Sequence, residues 1–254
     1  MGALLWGLQE LMIFPAPTVE SSRLAAVAKD VGAETFTVRA DDGVAIYGWH
    51  RRALGERAVV FFHGNAETVA DRVPLQDWLV DRGWDVVVIA YRGYPGSEMV
   101  TPSEDGLGRD ARAAWAYTQA LGIPKEHIVI HGKSLGGGVA AMLAAEVGPR
   151  ALVLESTFTS ILDVAQGRFY IYPAGVLLKH PFLTRERAPK IHCPVLVMHA
   201  DRDQTIPVEH GRALATMFEH VQYVEVAGLG HGETLPLVDP GARAAYAAFL
   251  DAAK

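Results

Sequence analysis

Short runs of consecutive apolar, β-branched-rich residues alternate along this chain with longer stretches whose apolar positions recur at helical spacing. The short runs are Ala58–Phe62, Asp85–Ala90, His127–His131, Ala151–Glu155, Pro194–His199 and Val221–Ala227. A strand covered on both faces has no polar side to show. Continuity rather than alternation is therefore what a parallel sheet between two helix layers produces. The helical stretches are roughly Thr68–Asp81, Ser103–Leu121, Leu135–Val147, Val208–Glu219 and Pro240–Ala253. Gly83, Gly122 and Gly148 fall near helix ends, where a residue free to adopt positive φ is favoured. Ahead of these, Glu34–Ala40 and Val44–His50 alternate around Asp41-Asp42-Gly43, and the Asp-Gly pair suits a hairpin turn. The pattern predicts an α/β fold: a mostly parallel eight-stranded sheet, antiparallel at its start, with helices on both faces.

Two segments depart from this rhythm. Residues 157–190 replace a simple crossover with a longer apolar excursion after a strand's C-terminal end, the side on which α/β sheets bind ligands. We read it as a short lid, with Phe158, Phe169, Tyr170 and Leu177 as candidate pocket residues; the plainer reading is helix packing on the sheet. Residues 3–14 are mostly apolar but too few to span a bilayer, and Glu10 interrupts them. They lack the features of a cleaved signal peptide. Leu4, Leu5, Leu8, Leu11 and Met12 fall on one helical face. That face suits a helix docked on its own domain or, as the sharper reading, peripheral membrane contact through residues 1–14. The expected organisation is an arm over 1–18 and a single domain over 19–254.

Composition narrows the function classes. Half of the 254 residues are hydrophobic and a fifth are charged, an ordinary globular balance. A formal net charge of −6, with no long basic run, argues against nucleic acid as a partner. The single cysteine, Cys193, can form no internal disulfide, which fits a reducing, cytoplasmic setting. It reads as a small buried hydrophobe rather than a nucleophile.

The sharpest chemical signal is Gly132-Lys133-Ser134-Leu135-Gly136, a G-x-S-x-G between an expected strand and an expected helix. Such a tight turn leaves no room for side chains two residues either side of the serine, and it lifts Oγ above the sheet. With seven serines and 25 glycines, chance supplies the motif only about 0.07 times in such a chain, before its flanks are required. A serine hydroxyl needs a base within hydrogen-bond reach. His231, in the glycine-flanked loop Gly228–Gly232 after the last strand, is placed to supply one. An imidazole in turn needs an orienting carboxylate, and Asp201 and Asp203 follow the strand Pro194–His199. Ser, Asp and His then occur in the chain order this elbow implies. The oxyanion requires preformed donors. The backbone N–H groups of Asn65, in His63-Gly64-Asn65, and of Leu135 are the candidates. The His63 side chain reads as a loop brace at the pocket edge. His127 and His131, four apart on a strand, make a poor metal pair, as do His199 and Asp201. Arg92-Gly93-Tyr94-Pro95-Gly96 does not spell a phosphate loop and reads as a tight turn. No metal or cofactor is expected.

HGN at 63–65, YRGYPGS at 91–97, GKSLG at 132–136, ESTFTS at 155–160, HADRDQTIP at 199–207 and GHGE at 230–233 occur in order and cover most of the chain from about residue 34. Together they resemble the α/β-hydrolase superfamily. Within it they look most like the branch of membrane-associated depalmitoylase and lysophospholipase-type serine hydrolases with bacterial relatives. The resemblance implies the α/β-hydrolase fold, and it selects Asp203 over Asp201 as the acid. It also implies Asn65 as an oxyanion donor and makes QELMIFP at 9–15 similar to the segment that follows an anchor in that branch. The expected activity is hydrolysis of a small-molecule ester or thioester, with an acyl lipid as one substrate class. Two rivals remain: a serine peptidase of the prolyl-aminopeptidase type, and a non-catalytic binding protein on the same scaffold.

Overall fold

The computed structural model describes residues 9–53, 55–168 and 177–252. Its strands are β1 (Glu34–Arg39), β2 (Ala45–Arg51), β3 (Ala58–Phe62), β4 (Asp85–Ile89), β5 (Ile128–Lys133), β6 (Ala151–Glu155), β7 (Val195–Ala200) and β8 (Val221–Val226). Its helices are α1 (Gln9–Ile13), α2 (Ser21–Asp30), α3 (Val73–Val80), α4 (Glu104–Ala120), α5 (Leu135–Val147), α6 (Ile161–Arg168), α7 (Thr184–Arg187), α8 (Val208–Leu214), α9 (Leu235–Val238) and α10 (Pro240–Ala252). The eight strands form one sheet in the order β1-β2-β4-β3-β5-β6-β7-β8. β2 runs antiparallel to both β1 and β4, and every later pairing is parallel.

The burial pattern follows from position in the sheet. Every residue of β3 to β7 is buried, whereas β1 and β8 at the two edges are only partly covered. A fully buried valine or isoleucine contributes about 1.5–3 kcal/mol, so the central strands carry the stability and the edges carry little. Parallel pairing places the loops after β3, β5, β6, β7 and β8 at one end of the sheet, where the strand order makes a ligand crevice.

Several element boundaries differ from expectation for local reasons. The helix expected from Thr68 begins at Val73, because the Asp71 carboxylate accepts from both the N–H and Oγ1 of Thr68, each at 2.6 Å, and holds a turn there. The helix expected to reach Glu219 ends at Leu214; Thr216 N–H and Oγ1 both donate to the Ala213 carbonyl, closing a tight turn. His127 lies in a 3₁₀ turn before β5 rather than on the strand.

The expectation for the N-terminal segment is corrected in part. In α1 it is polar Gln9 that is buried, with Nε2 donating to the Leu177 carbonyl at 2.7 Å and Oε1 accepting from Lys179 N–H at 2.8 Å. Leu11 and Met12 are exposed, at 72% and 53%. Leu4, Leu5 and Leu8 lie outside the described residues. Ile13 packs partly buried against the core, and Phe14 is buried in it against His180 and Phe182. Among the described residues, no helix is long and apolar enough to cross a membrane.

Candidate active site

β5 runs directly into a strained residue. Ser134 has φ 52° and ψ −120°, a conformation that a non-glycine residue holds only when its surroundings impose it. Here they do. Ser134 N–H donates to the Glu155 carbonyl at 2.9 Å, and the Ser134 carbonyl accepts from Thr157 Oγ1 at 2.7 Å and Gly137 N–H at 2.9 Å. The flanking glycines are required by close approach. A Cβ on Gly132 would lie 2.2 Å from the Gly136 carbonyl oxygen, and one on Gly136 would lie 2.0 Å from that of Phe62. α5 starts at Leu135 directly behind the hydroxyl.

The loop after β8 brings His231 to this hydroxyl, with Nε2 2.9 Å from Ser134 Oγ. On the other side of the ring, Nδ1 lies 2.6 Å from Asp203 Oδ2. The second oxygen of Asp203 is engaged by main chain, accepting from Thr205 and Ile206 N–H at 2.8 Å each. Burial opposes ionisation of Asp203, but hydrogen bonds from His199, His231 and Ile206 outweigh it and hold the carboxyl well below the usual range. An ionised Asp203 accepts the Nδ1 proton and leaves Nε2 as an acceptor for the serine proton. Asp201 is not in this chain of contacts; its Oδ1 accepts Gly228 N–H at 2.7 Å and braces the turn that leads into the histidine loop.

Of the expected oxyanion donors, one follows Ser134 directly in the chain and the other adjoins a glycine packed against it. Leu135 opens α5, and Gly64 packs so that a Cβ there would lie 3.3 Å from Ser134 Cβ. Neither Asn65 N–H nor Leu135 N–H donates to any protein acceptor among the described residues. The Asn65 side chain is committed: Nδ2 donates to the Ile13 carbonyl at 2.8 Å, and Oδ1 accepts from Tyr94 OH at 3.2 Å. The arrangement can generate a nucleophile, take up its proton and offer two free N–H groups nearby, which is the equipment for acyl transfer.

Comparisons with known proteins bear on the family and the fold. Residues 55–178 match the family described as serine aminopeptidase, S33. An uncharacterised protein of Mycobacterium tuberculosis is 35% identical over 238 residues, covering 90% of this chain and 82% of that protein. The chain belongs to the α/β-hydrolase superfamily of serine hydrolases. Lysophosphatidylserine lipase ABHD12 of Mus musculus is 32% identical over 192 residues, 65% of this chain and 47% of the lipase. The fold is shared with the Pyrococcus furiosus esterase Pf2001 at a TM-score of 0.77 and 17% identity, over 94% of this chain and 97% of the esterase.

The remaining sequence candidates separate in this α/β-hydrolase. His63 is fully buried between Tyr91 and Tyr94, with Nδ1 donating to the Gly64 carbonyl at 2.8 Å; burial lowers its pKa, so it stays neutral and braces the loop. Phe158 is buried against Phe182 and α5 rather than presented at a surface. Leu177 is half-buried, and its carbonyl holds the N-terminal arm. Phe169 and Tyr170 lie outside the described residues. His127 and His131 do not converge: the first contacts the Glu56 carbonyl, and the second joins Glu155 and Tyr246 in the core.

Two residues beside the candidate site escaped the sequence reading. Lys133, inside the elbow, donates to the carbonyls of His231 and Glu233. Arg72 pairs with Glu67 of the Asn65 loop and donates to Thr234 Oγ1 at 2.6 Å, joining that loop to the histidine loop. The signal for Lys133 was available: a lysine ending a strand with no exposed face must find acceptors inside the protein.

Proposed function

We propose that this hydrolase is a carboxylic-ester hydrolase of the esterase, lipase or thioesterase type, with Ser134 as nucleophile, His231 as general base and Asp203 as the acid that orients it. The observation that carries the reading is the unbroken contact chain Asp203 Oδ2–His231 Nδ1 and His231 Nε2–Ser134 Oγ, at 2.6 and 2.9 Å. Ser134 Oγ attacks the acyl carbonyl while His231 Nε2 takes its proton. The N–H groups of Asn65 and Leu135 stabilise the oxyanion. On collapse, His231 protonates the leaving alcohol or thiol, and the acyl group remains on Ser134. Water then attacks the acyl-enzyme, with its proton passing to His231, and Ser134 leaves with that proton restored.

An acyl lipid is the substrate class we favour. The apolar lid and the lysophospholipid lipase among the relatives support it. Exposed Leu11 and Met12, on an arm joined to both the lid and the Asn65 loop, support access from a membrane surface. The aminopeptidase reading has the family description in its favour, but it needs a free carboxylate to hold a substrate amine. Asp163 is already engaged by Thr159 and Arg185, and Glu186 is exposed.

A fluorophosphonate probe should label the parent protein, and Ser134→Ala should lose both labelling and hydrolysis of nitrophenyl esters. Full turnover by Ser134→Ala rejects the nucleophile. Comparison of a chain-length series of nitrophenyl esters with a monoacylglycerol, a palmitoyl thioester and an aminoacyl anilide tests the substrate class; preference for the anilide rejects the ester reading.

A further inference from the structure

The loop that carries His231 has little means of ordering itself. It runs through Gly228, Gly230 and Gly232 and lacks regular structure until α9. Its main chain is held from two sides: Arg72 donates to the Gly232 carbonyl at 3.4 Å from the Asn65 loop, and a buried ionic cluster holds it from behind the elbow. Lys133 ends β5, is 1% exposed, and sits in sheet register with Glu155 of β6, which is 0% exposed. The Lys133 ammonium donates to the His231 carbonyl at 3.1 Å and the Glu233 carbonyl at 2.7 Å, and its third neighbour is Glu155 Oε1 at 3.7 Å. Glu155 is held in turn: Oε1 accepts Leu235 N–H at 2.7 Å, and Oε2 faces His131 Nε2 at 3.1 Å. The other nitrogen of His131 meets Tyr246 OH of α10 at 3.0 Å.

Apolar residues of similar size usually serve a core as well as a buried ion pair does, because two charges taken from water are only partly repaid by each other. This pair is spent on one place. Lys133 reaches the carbonyls on either side of Gly232, and Glu155 holds the N–H that opens α9. Both ends of the stretch 231–235 are thereby tied to the strand pair that presents Ser134. Asp203 aligns the imidazole ring, but among the described residues it forms no hydrogen bond with the main chain of residues 230–233.

We propose that Lys133 is a positioning residue for the base, its ammonium fixing the His231–Glu233 main chain so that Nε2 stays within reach of Ser134 Oγ. The proposal rests on the reading of Ser134 and His231 as nucleophile and base. Lys133 touches no reacting atom. Its effect belongs on the chemical step, not on substrate binding.

The test compares parent, Lys133→Met and the double variant Lys133→Met/Glu155→Gln. The double variant removes the clamp without leaving a buried carboxylate unpaired. Asp85→Asn is the control for lost stability alone, since it disrupts the buried His50–Asp85 pair at the start of β4. Full-length proteins are assayed for nitrophenyl ester hydrolysis, fluorophosphonate labelling rate, melting temperature and the downfield NMR resonance of the His231 Nδ1 proton. We expect both Lys133 variants to lose kcat by about 10- to 100-fold, the scale of a misplaced catalytic group, with KM within about threefold of the parent. The double variant should recover melting temperature but not kcat, and its Nδ1 resonance should broaden or vanish. Asp85→Asn should melt lower yet keep kcat and the resonance. If either folded Lys133 variant retains kcat within about twofold and an unchanged resonance, the proposal is overturned while the ester-hydrolase reading stands. Loss of activity in the Lys133 variants only in proportion to lost folded protein, with kcat per folded molecule unchanged, also overturns it. A parent that is neither labelled nor active overturns the reading of Ser134 and, with it, this inference.

Discussion

At the scale of the residue, two aspartates separated by a single arginine have different tasks because their carboxylates meet different partners. Asp203 divides its oxygens between main-chain donors and His231, whereas Asp201 holds the Gly228 N–H. Asp203→Asn should lower kcat by about 10³- to 10⁴-fold, because the amide no longer enforces the imidazole tautomer. Asp201→Asn should change kcat by less than about tenfold; equal effects in steady-state assays reject the assignment. A pH effect on stability follows from the same contacts. The folded pKa of Asp203 is depressed, so its ionisation stabilises the native state fully above the unfolded carboxyl value of about 3.9. That contribution falls away as pH drops through the lower folded value. In urea titrations between about pH 6 and 3, the stability gap between parent and Asp203→Asn should narrow toward low pH; a constant gap counts against it. Cys193 has no comparable setting. Burial pushes its thiol up to about 11, so thiolate is scarce at neutral pH and a nucleophilic role is disfavoured.

At the scale of the element, the elbow is where strand, helix and chemistry meet. The glycine pattern was legible because crowding in a strand-to-helix turn leaves its mark on residue type. Gly136→Ala drives a Cβ against the Phe62 carbonyl, and backbone cannot rotate away as a side chain can. It should cost about 3 kcal/mol or more in urea unfolding and impair activity. Gly148→Ala, at the end of α5 with φ 59° and open space around it, should cost only about 1 kcal/mol and leave kcat unchanged. Similar losses at the two sites would mean that crowding is not what the elbow glycines relieve. Element ends were less legible than element types. The late start of α3 and the early end of α8 depend on threonine side chains, whose hydrogen bonds periodicity does not register.

At the scale of the whole molecule, the site is a meeting of loops from one end of the sheet, linked to an N-terminal arm. The arm joins the Asn65 loop through the carbonyls of Ile13 and Pro15, and it joins residues 177–179 through Gln9 and the Glu10–Lys179 pair at 2.8 Å. Its outward residues, Leu11 and Met12, are apolar. The double substitution Leu11→Glu/Met12→Glu should reduce co-sedimentation with phosphatidylethanolamine–phosphatidylglycerol vesicles while leaving hydrolysis of a short nitrophenyl ester unchanged. Unaltered sedimentation rejects this face as the membrane contact. A helical-face pattern could suggest two roles for the arm. It could not reveal that the polar side docks, because that depends on where the Leu177 carbonyl and Lys179 N–H happen to lie.

The residues alone determined the α/β class, the order of the strand runs, the elbow at Ser134 and the candidacy of His231, because backbone sterics and burial on both sheet faces constrain residue type locally. The motif resemblance separated Asp203 from Asp201. The tertiary structure decided the rest. Contacts such as Ser134–His231 and Lys133–His231, 97 and 98 residues apart in the chain, have no local periodicity to announce them. They exist only because parallel strands deliver distant loops to the same end of one sheet, and the distances there decide which polar groups can act together.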